Sequence, residues 1–145
     1  SPLKGRAVPI SQIPDPVFST GVVGDGIAIE PSDSTVVCPA DATVVTAPES
    51  GHAFGLKLDS GVELLIHVGV DTVELGGKGF DVKVKAGDHV SAGQPLVVFD
   101  PAVIDEAGYS KITPVLVTNG FDYSNVTGIP ADDVTTSTPV ITVVK

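Results

Sequence analysis

Glycine- and proline-rich turn sequences divide the chain into short apolar runs, and this feature restricts its fold more than any other. The runs are rich in valine, which favours strands over helices. The 145 residues include 16 glycines and 12 prolines, and turn sequences such as Gly24-Asp25-Gly26 and Ala86-Gly87-Asp88 separate the runs. The predicted strands are Val17–Val23, Gly26–Ile29, Thr35–Cys38, Thr43–Thr46, Ala53–Leu58, Val62–Val70, Val82–Lys85, Pro95–Phe99, Ile112–Thr118 and Thr138–Val144.

The regular spacing of these strands predicts an all-β fold, an antiparallel β-sandwich or a barrel-like domain. The one helical candidate is Pro101–Ala107, a turn or two of helix with proline near its start. A chain of 145 residues is long enough for one domain with a substantial core and short for two, so residues 1–145 are expected to form a single domain. The stretch Asp122–Thr138 has the weakest strand pattern.

Charge and composition exclude several classes of partner. The net charge of −10 disfavours nucleic acid and anionic membranes, which bind clustered lysine and arginine. No run approaches the roughly 20 apolar residues of a membrane-spanning helix, and no signal peptide opens the sequence. The single cysteine, Cys38, is expected to be a small buried side chain. Because it cannot form an intrachain disulfide, it fits a reducing cytoplasm.

A predicted hairpin brings two histidines, His52 and His67, close together. Residues 53–58 alternate between apolar side chains on one face and Gly55 and Lys57 on the other, and Asp59-Ser60-Gly61 follows as a turn. A two-residue loop would place His52 directly opposite His67, whereas a three-residue loop would place Ala53 there unless a bulge compensates. Cross-strand neighbours lie about 5 Å apart and diagonal neighbours about 7–8 Å apart, so the two rings can meet with either loop.

His67 lies within an apolar run, where a polar ring is costly unless its nitrogens find partners or take part in chemistry. A lone histidine in such a run is usually structural, but a second histidine at the same place favours a functional pair. Three kinds of chemistry are open to such a pair: metal binding, acid–base catalysis, and phosphoryl transfer through a ring nitrogen.

The segment Gly61–Val73 resembles the signature around the phosphorylated histidine of glucose-type enzyme IIA. This family is the phosphocarrier of the bacterial phosphoenolpyruvate-dependent sugar phosphotransferase system. Val23–Ile29, His52–Phe54 and Thr138-Pro139-Val140 are also similar to that family, in the same order, so the resemblance covers nearly the whole chain. It implies a cytoplasmic β-sandwich that carries two histidines on one face.

The resemblance also implies a role for each histidine. His67 matches the acceptor, which receives a phosphoryl group from the small carrier protein HPr and passes it to the IIB domain of a sugar permease. His52 matches the supporting histidine, and Ser50 falls where the family has a hydroxyl residue that bonds the supporting ring. This chemistry requires no cofactor, because a neutral imidazole nitrogen is nucleophilic near pH 7 and a second imidazole can donate a hydrogen bond to phosphoryl oxygens. Regulation of other enzymes or transporters by the unphosphorylated form stays open.

A docking surface for the partner proteins is a further implication of the resemblance. Asp15 and Asp71 match aspartates that meet an arginine of the partners. For Phe54, one of the apolar matches, a position in the core is the alternative. The apolar residues that match the rim of the surface are Val17, Phe18, Val22, Val23, Phe54 and Leu65.

Two other functions, a biotinyl or lipoyl carrier and a zinc hydrolase, compete with the phosphocarrier. Val84–Leu96 resembles a half-motif of biotinyl and lipoyl carriers, but no lysine has the required Met-Lys-Met or Asp-Lys-Ala type of setting. A zinc hydrolase would use His52, His67 and a carboxylate such as Asp71. Catalytic zinc needs three protein ligands, and neither His-x-His nor His-Glu-x-x-His occurs. Zinc held by His52 and His67 alone is therefore expected to be weak, and a purely structural or interaction domain is the remaining alternative.

Overall fold

The structure is a computed structural model that describes residues 1–14, 24–47, 51–70, 72–136, 138 and 140–144. Its one described α-helix, α1, spans Pro101–Glu106, and short 3₁₀ helices span Ile10–Gln12, Thr72–Leu75 and Gly120–Asp122. None of the helices formed by these residues is long and apolar enough to cross a membrane. The strands are β1 (Gly5–Val8), β2 (Asp25–Pro31), β3 (Thr35–Val37), β4 (Ala42–Thr46), β5 (Ala53–Leu58), β6 (Glu63–His67), β7 (Phe80–Val82), β8 (His89–Val90), β9 (Pro95–Phe99), β10 (Thr113–Val117), β11 (Asn125–Gly128), β12 (Ala131–Val134) and β13 (Ile141–Val144).

The described strands form three antiparallel sheets. The largest has eight strands in the order β12-β1-β2-β10-β6-β5-β4-β8, and the others have the orders β3-β9-β7 and β11-β13. One cluster of buried apolar side chains joins the sheets, with Ile27 and Phe54 from the largest and Phe99 from the three-stranded sheet. Val126 and Val143 of the two-stranded sheet pack against this cluster. The predicted all-β sandwich is confirmed.

The outer face of the largest sheet carries a second apolar cluster. Ile27 and Ile29 of β2 point into the main core, whereas Ala28 between them joins Val8, Ile13, Val70 and Ile112. Successive side chains of a strand point to opposite faces, so this cluster lies on the outer side of β2. The largest sheet is therefore buried on both faces near β2, and β10 beside it is buried at every position.

The hairpin β5–β6 has the register of the three-residue loop. Ala53 pairs with His67 and Lys57 pairs with Glu63. The Leu58 N–H donates to the Val62 carbonyl at 2.8 Å, and the Gly61 N–H donates to the Leu58 carbonyl at 2.9 Å. Gly61 has a φ of +100°, a left-handed conformation that glycine adopts at low cost. This glycine selects the longer loop, and the alternative that placed His52 directly opposite His67 is wrong.

The strand prediction needs correction in several places. The predicted strand Val82–Lys85 overlaps β7 only at Val82, where β7 ends. Further along the chain, the Lys85 N–H donates to the Asp88 carboxylate in a turn. The weakly patterned stretch Asp122–Thr138 contains β11 and β12, and β1 was not predicted. The predicted strand Val17–Val23 lies outside the described residues and stays a prediction. His89, expected in an exposed loop, is exposed but begins β8.

Asn119 fixes the hairpin to the end of β10, and its replacement should destabilise the protein. Its side-chain oxygen accepts from Glu63 N–H at 2.9 Å, and its amide nitrogen donates to the Gly61 carbonyl at 3.0 Å. Asn119 is 5% exposed, so Asn119→Ala leaves these groups without their partner and should lower the free energy of unfolding by about 1–3 kcal/mol. Urea unfolding followed by circular dichroism measures the loss. Asn125→Ala, at an exposed position of β11, is the control. Equal urea midpoints of unfolding for the two variants would contradict the stabilising role of Asn119.

Candidate functional site

The ring of His67 is oriented by a backbone carbonyl two residues further along the chain. His67 is the last residue of β6, half-buried, and its Nδ1 lies 2.6 Å from the Gly69 carbonyl oxygen. A carbonyl oxygen only accepts hydrogen bonds, so Nδ1 carries the proton. In the neutral ring the nucleophilic lone pair is then on Nε2. The backbone thus selects which nitrogen of His67 can attack an electrophile.

Gly69 can present this carbonyl because it is glycine. Its φ is +78°, which side chains on L residues rarely permit. A Cβ at this position would lie 2.5 Å from Thr72 Cγ2 and 2.8 Å from the Ser110 carbonyl oxygen. Both contacts are too short for carbon, so any other residue would displace the turn that holds His67.

His52 reaches His67 because the chain bends before β5 begins. In a regular strand, a residue next to Ala53 would point to the face opposite that of Ala53 and His67. The bend at His52 follows Gly51, which has a φ of +70° and packs so closely on β7 that a Cβ would lie 2.7 Å from Val82 Cγ2. The two imidazole centroids are 5.2 Å apart with an interplanar angle of 71°, an edge-to-face contact. The expected meeting of the rings is confirmed.

The surroundings of His52 favour a neutral ring. Burial lowers the pKa of His52 below its usual value, and the proximity of His67 lowers this pKa further, because a charge on one ring opposes a charge on the other. At pH 7 the His52 ring is therefore neutral, with one N–H that can donate a hydrogen bond. The backbone carbonyl of His52 accepts from Val68 N–H at 2.6 Å, which ties the two histidine segments together.

Leu65 and Gly55 lie near His67 on the outer face of the sheet. Leu65 is half-buried, points to the same face as His67, and lies opposite Gly55. A shallow cleft of about 240 Å³ runs beside Leu65, and Val45 at its edge is 59% exposed. Thr46, Glu63 and Thr118 also line this cleft, and neither histidine does.

Phe54 does not belong to this surface. Its side chain has 0% exposure and packs in the main core with Leu56, on the opposite face of β5 from Gly55. The prediction that it lines the docking rim is wrong, and the core alternative is confirmed. The other predicted site residues, Asp15, Val17, Phe18, Val22, Val23, Ser50 and Asp71, lie outside the described residues and stay predictions.

The described residues offer no complete protein site for a metal. Within them, no group of three or more His, Cys, Asp or Glu side chains could hold an ion. Two imidazoles supply two ligands, whereas catalytic zinc needs three from the protein. An apolar cavity of about 230 Å³ lies under the hairpin, but it is lined by side chains such as Val62, Leu64 and Val115 and contains neither histidine.

Sequence reasoning did not identify Gly51, Gly69 and Thr72 as parts of this site. Two of them act through backbone conformation, and Thr72 acts through a buried hydroxyl that donates to the Val68 carbonyl at 2.5 Å. A glycine two residues after a histidine that ends an apolar strand is the signal that was available for Gly69. Nothing comparable in the sequence distinguishes Gly51 from an ordinary turn glycine.

A family model described as phosphoenolpyruvate-dependent sugar phosphotransferase system, EIIA 1, matches residues 1–123. This range contains His52, His67 and the turn that orients them. The chain belongs to this EIIA family. Its membership agrees with the resemblance that the sequence indicated around His67.

Members of the EIIA family that resemble this chain include both fused and separate proteins. The mannose-specific EIIBCA component of Corynebacterium glutamicum is 53% identical over 143 residues, which are 99% of this chain but 21% of that protein. The glucose-specific EIIA component of Staphylococcus epidermidis is 44% identical over 119 residues, 82% of this chain and 72% of that protein. The solved structure of glucose permease IIA from Mycoplasma capricolum has a TM-score of 0.81 and 34% identity, covering 92% of this chain and 90% of that one. The EIIA β-sandwich is thus shared.

Proposed function

We propose that this chain is a phosphocarrier, in which Nε2 of His67 accepts a phosphoryl group from phosphorylated HPr and passes it to the IIB domain of a sugar permease. The observation that supports this most is the hydrogen bond of His67 Nδ1 to the Gly69 carbonyl at 2.6 Å. It leaves the lone pair on the other ring nitrogen, at the half-buried end of β6. Membership in the EIIA family supplies the class of reaction.

The proposed step forms one bond and breaks one. The lone pair of His67 Nε2 attacks phosphorus, and the electron pair of the bond between phosphorus and the donor leaves with the donor. Nδ1 keeps its proton throughout, and the Gly69 carbonyl stabilises the positive charge that develops on the ring. The same arrangement serves the onward step, in which the IIB acceptor attacks phosphorus and His67 leaves with its lone pair.

His52 assists this transfer without carrying the phosphoryl group. Its neutral ring lies edge-on to His67 at 5.2 Å between centroids, close enough to donate a hydrogen bond to a phosphoryl oxygen. Such a donor stabilises the charge that spreads over the phosphoryl oxygens in the transition state. Ser50 is the proposed hydroxyl partner of His52.

The proposed setting is the cytoplasm, with residues 1–145 acting as one carrier domain. Relatives named EIIBCA and EIICBA combine EIIA with EIIB and EIIC in their names. These names support a permease IIB domain as the acceptor.

Phosphorylation in vitro tests the proposed function. The chain is incubated with phosphoenolpyruvate, enzyme I and HPr, and its intact mass is measured. Addition of one phosphoryl group is expected only when all three components are present. Transfer onward to a IIB domain should return the chain to its original mass. A chain that stays unmodified, or that is labelled without HPr, would contradict the proposal.

Docking should depend on Asp15 and Asp71, the acidic residues that match partner-binding positions of the family. Asp71→Lys is expected to slow phosphoryl exchange with HPr several-fold at low salt, because a positive charge would repel the partner's arginine, and the difference should shrink as salt screens it. The exchange rate is measured at several salt concentrations. Asp133→Lys makes the same change of charge on β12, at the far end of the largest sheet, and is the control. Equal rates for Asp71→Lys and the unchanged chain at every salt concentration would show that the partner docks elsewhere, and the test applies equally to Asp15.

Zinc should bind the isolated chain only weakly. His52 and His67 can supply two ligands, and a partner's carboxylate would have to complete the site. Calorimetric titration with zinc is expected to show no high-affinity site, and any binding should be lost in the His52→Ala variant. A stoichiometric zinc that survives dialysis would contradict this expectation and revive the hydrolase alternative.

A further inference from the structure

Thr72 is a buried residue that contacts the segment directly after His67. It has 0% exposure, and its hydroxyl donates to the Val68 carbonyl at 2.5 Å. Thr72 follows His67 by five positions, in the 3₁₀ helix Thr72–Leu75. Its hydroxyl therefore makes its hydrogen bond within the turn that leads away from His67.

Three successive peptide planes of this turn are each held by one or two hydrogen bonds. In the first, Val68 N–H donates to the His52 carbonyl at 2.6 Å. In the second, the Val68 carbonyl accepts from Thr72. In the third, the Gly69 carbonyl accepts from His67 Nδ1 at 2.6 Å, and Val70 N–H donates to the Ser110 carbonyl at 3.0 Å. Thr72 thus holds the plane between the two that contact the histidines.

The joint between the second and third planes is Gly69, the most easily rotated residue of the turn. Glycine has little steric barrier to rotation, so the direction of its carbonyl depends on what holds the neighbouring planes. The methyl group of Thr72 also closes the space beside Gly69, since a Cβ there would lie 2.5 Å from Thr72 Cγ2. Thr72 restricts Gly69 both by its hydroxyl and by its methyl group.

We propose that Thr72 is a positioning residue for phosphoryl transfer: its hydroxyl fixes the Val68–Gly69 peptide plane, so that the Gly69 carbonyl keeps the proton of His67 on Nδ1. The inference rests on the proposed phosphocarrier function for its effect on rate. Its effect on the tautomer of His67 is independent of that function. Without the hydroxyl, the Val68 carbonyl loses this hydrogen-bond donor in a buried place, so the Val68–Gly69 peptide plane can rotate. This rotation weakens the hydrogen bond between the Gly69 carbonyl and His67 Nδ1.

Two substitutions separate the hydroxyl from the methyl group. Thr72→Val keeps the shape and removes the hydroxyl, whereas Thr72→Ser keeps the hydroxyl and removes the methyl group. Long-range ¹⁵N–¹H correlation spectra of the His67 ring report which nitrogen is protonated. We expect the Nδ1–H tautomer in the unchanged chain and in Thr72→Ser, and a mixture of both tautomers in Thr72→Val. The rate of phosphorylation by phosphorylated HPr should fall about tenfold in Thr72→Val and be largely restored in Thr72→Ser, as for the loss of one hydrogen bond.

Thr113→Val is the control for simple destabilisation. Thr113 is also 0% exposed, and its hydroxyl donates to the Lys111 carbonyl at 3.1 Å, in a segment without a histidine. Its replacement should lower stability and leave the tautomer of His67 unchanged. If Thr72→Val does not fold, Thr72→Ala and Thr72→Ser provide the same comparison of a missing and a present hydroxyl.

The outcomes distinguish this inference from the proposed function. An unchanged tautomer and rate in Thr72→Val would overturn the inference, as would a mixture of tautomers in both Thr72→Val and Thr113→Val. If no variant and not even the unchanged chain accepts a phosphoryl group, the proposed function fails. In that case the tautomer comparison still decides whether Thr72 positions His67.

Discussion

Replacement of His67 by alanine should give a folded domain that never gains the mass of a phosphoryl group. The substitution removes the nitrogen that is proposed to attack phosphorus, and no rate enhancement can compensate for a missing nucleophile. The fold should persist because His67 is half-buried at the end of β6 and its strand pairs with β5 through the backbone. Intact-protein mass spectrometry after incubation with phosphorylated HPr gives the result, and thermal unfolding confirms that the variant is folded.

His89→Ala is the matched control for this experiment. His89 is exposed, and its Nε2 lies 3.3 Å from an Asp59 carboxylate oxygen, at the end of the hairpin remote from His67. This variant should be phosphorylated at the normal rate. A gain of phosphoryl mass by folded His67→Ala would show that another residue is the acceptor, and His52 would be the first candidate.

Replacement of His52 by alanine should slow phosphoryl transfer in both directions by about 10²–10³-fold, the usual cost of losing one donor from a shielded site. His67 should still be labelled completely at long times, because its nucleophilic nitrogen is intact. His52→Gln keeps an N–H donor and should be impaired less. Rapid-quench measurements with phosphorylated HPr and with a IIB domain give the two rates.

The pH dependence of this effect follows from the lowered pKa of His52. Burial and the proximity of His67 lower the pKa of His52 below its usual value, so its ring is predominantly neutral at pH 7 and raising the pH to 8 changes its charge little. The slowing in His52→Ala should therefore be the same at both pH values. Slowing that is confined to pH 7 would show that a charged His52 is the active form, and complete loss of labelling would make His52 essential to the bond itself.

The sequence was sufficient to predict the hairpin and the meeting of its histidines, but not how they meet. Two arrangements bring His52 to His67: a two-residue loop that places them opposite, or a three-residue loop with a bend before β5. The choice depends on left-handed backbone conformations at Gly61 and Gly51. A glycine in a sequence permits such a conformation without requiring it, so the register stayed open until both φ angles were known.

Phe54 illustrates an error that the residues themselves could have prevented. It alternates with Leu56 and Leu58 along β5, a pattern that predicts one common face, and the structure places Phe54 and Leu56 in the core. The resemblance to a docking residue points instead to the outer face, and the structure contradicts it. The strands β11 and β12 could not be found in the same way, because Asn125–Gly128 and Ala131–Val134 contain few apolar side chains.

The position of the phosphoryl group on the ring tests the central proposal most directly. Phosphorylated chain is examined by ³¹P–¹H correlation spectroscopy, in which phosphorus couples through three bonds to the ring protons next to its nitrogen. Attachment to Nε2 of His67 should give coupling to both Hδ2 and Hε1 of that ring, since the Gly69 carbonyl holds the proton on Nδ1. Coupling to Hε1 alone would place the phosphoryl group on Nδ1, and coupling to the His52 ring would place it on the other histidine; either result would contradict the proposed mechanism.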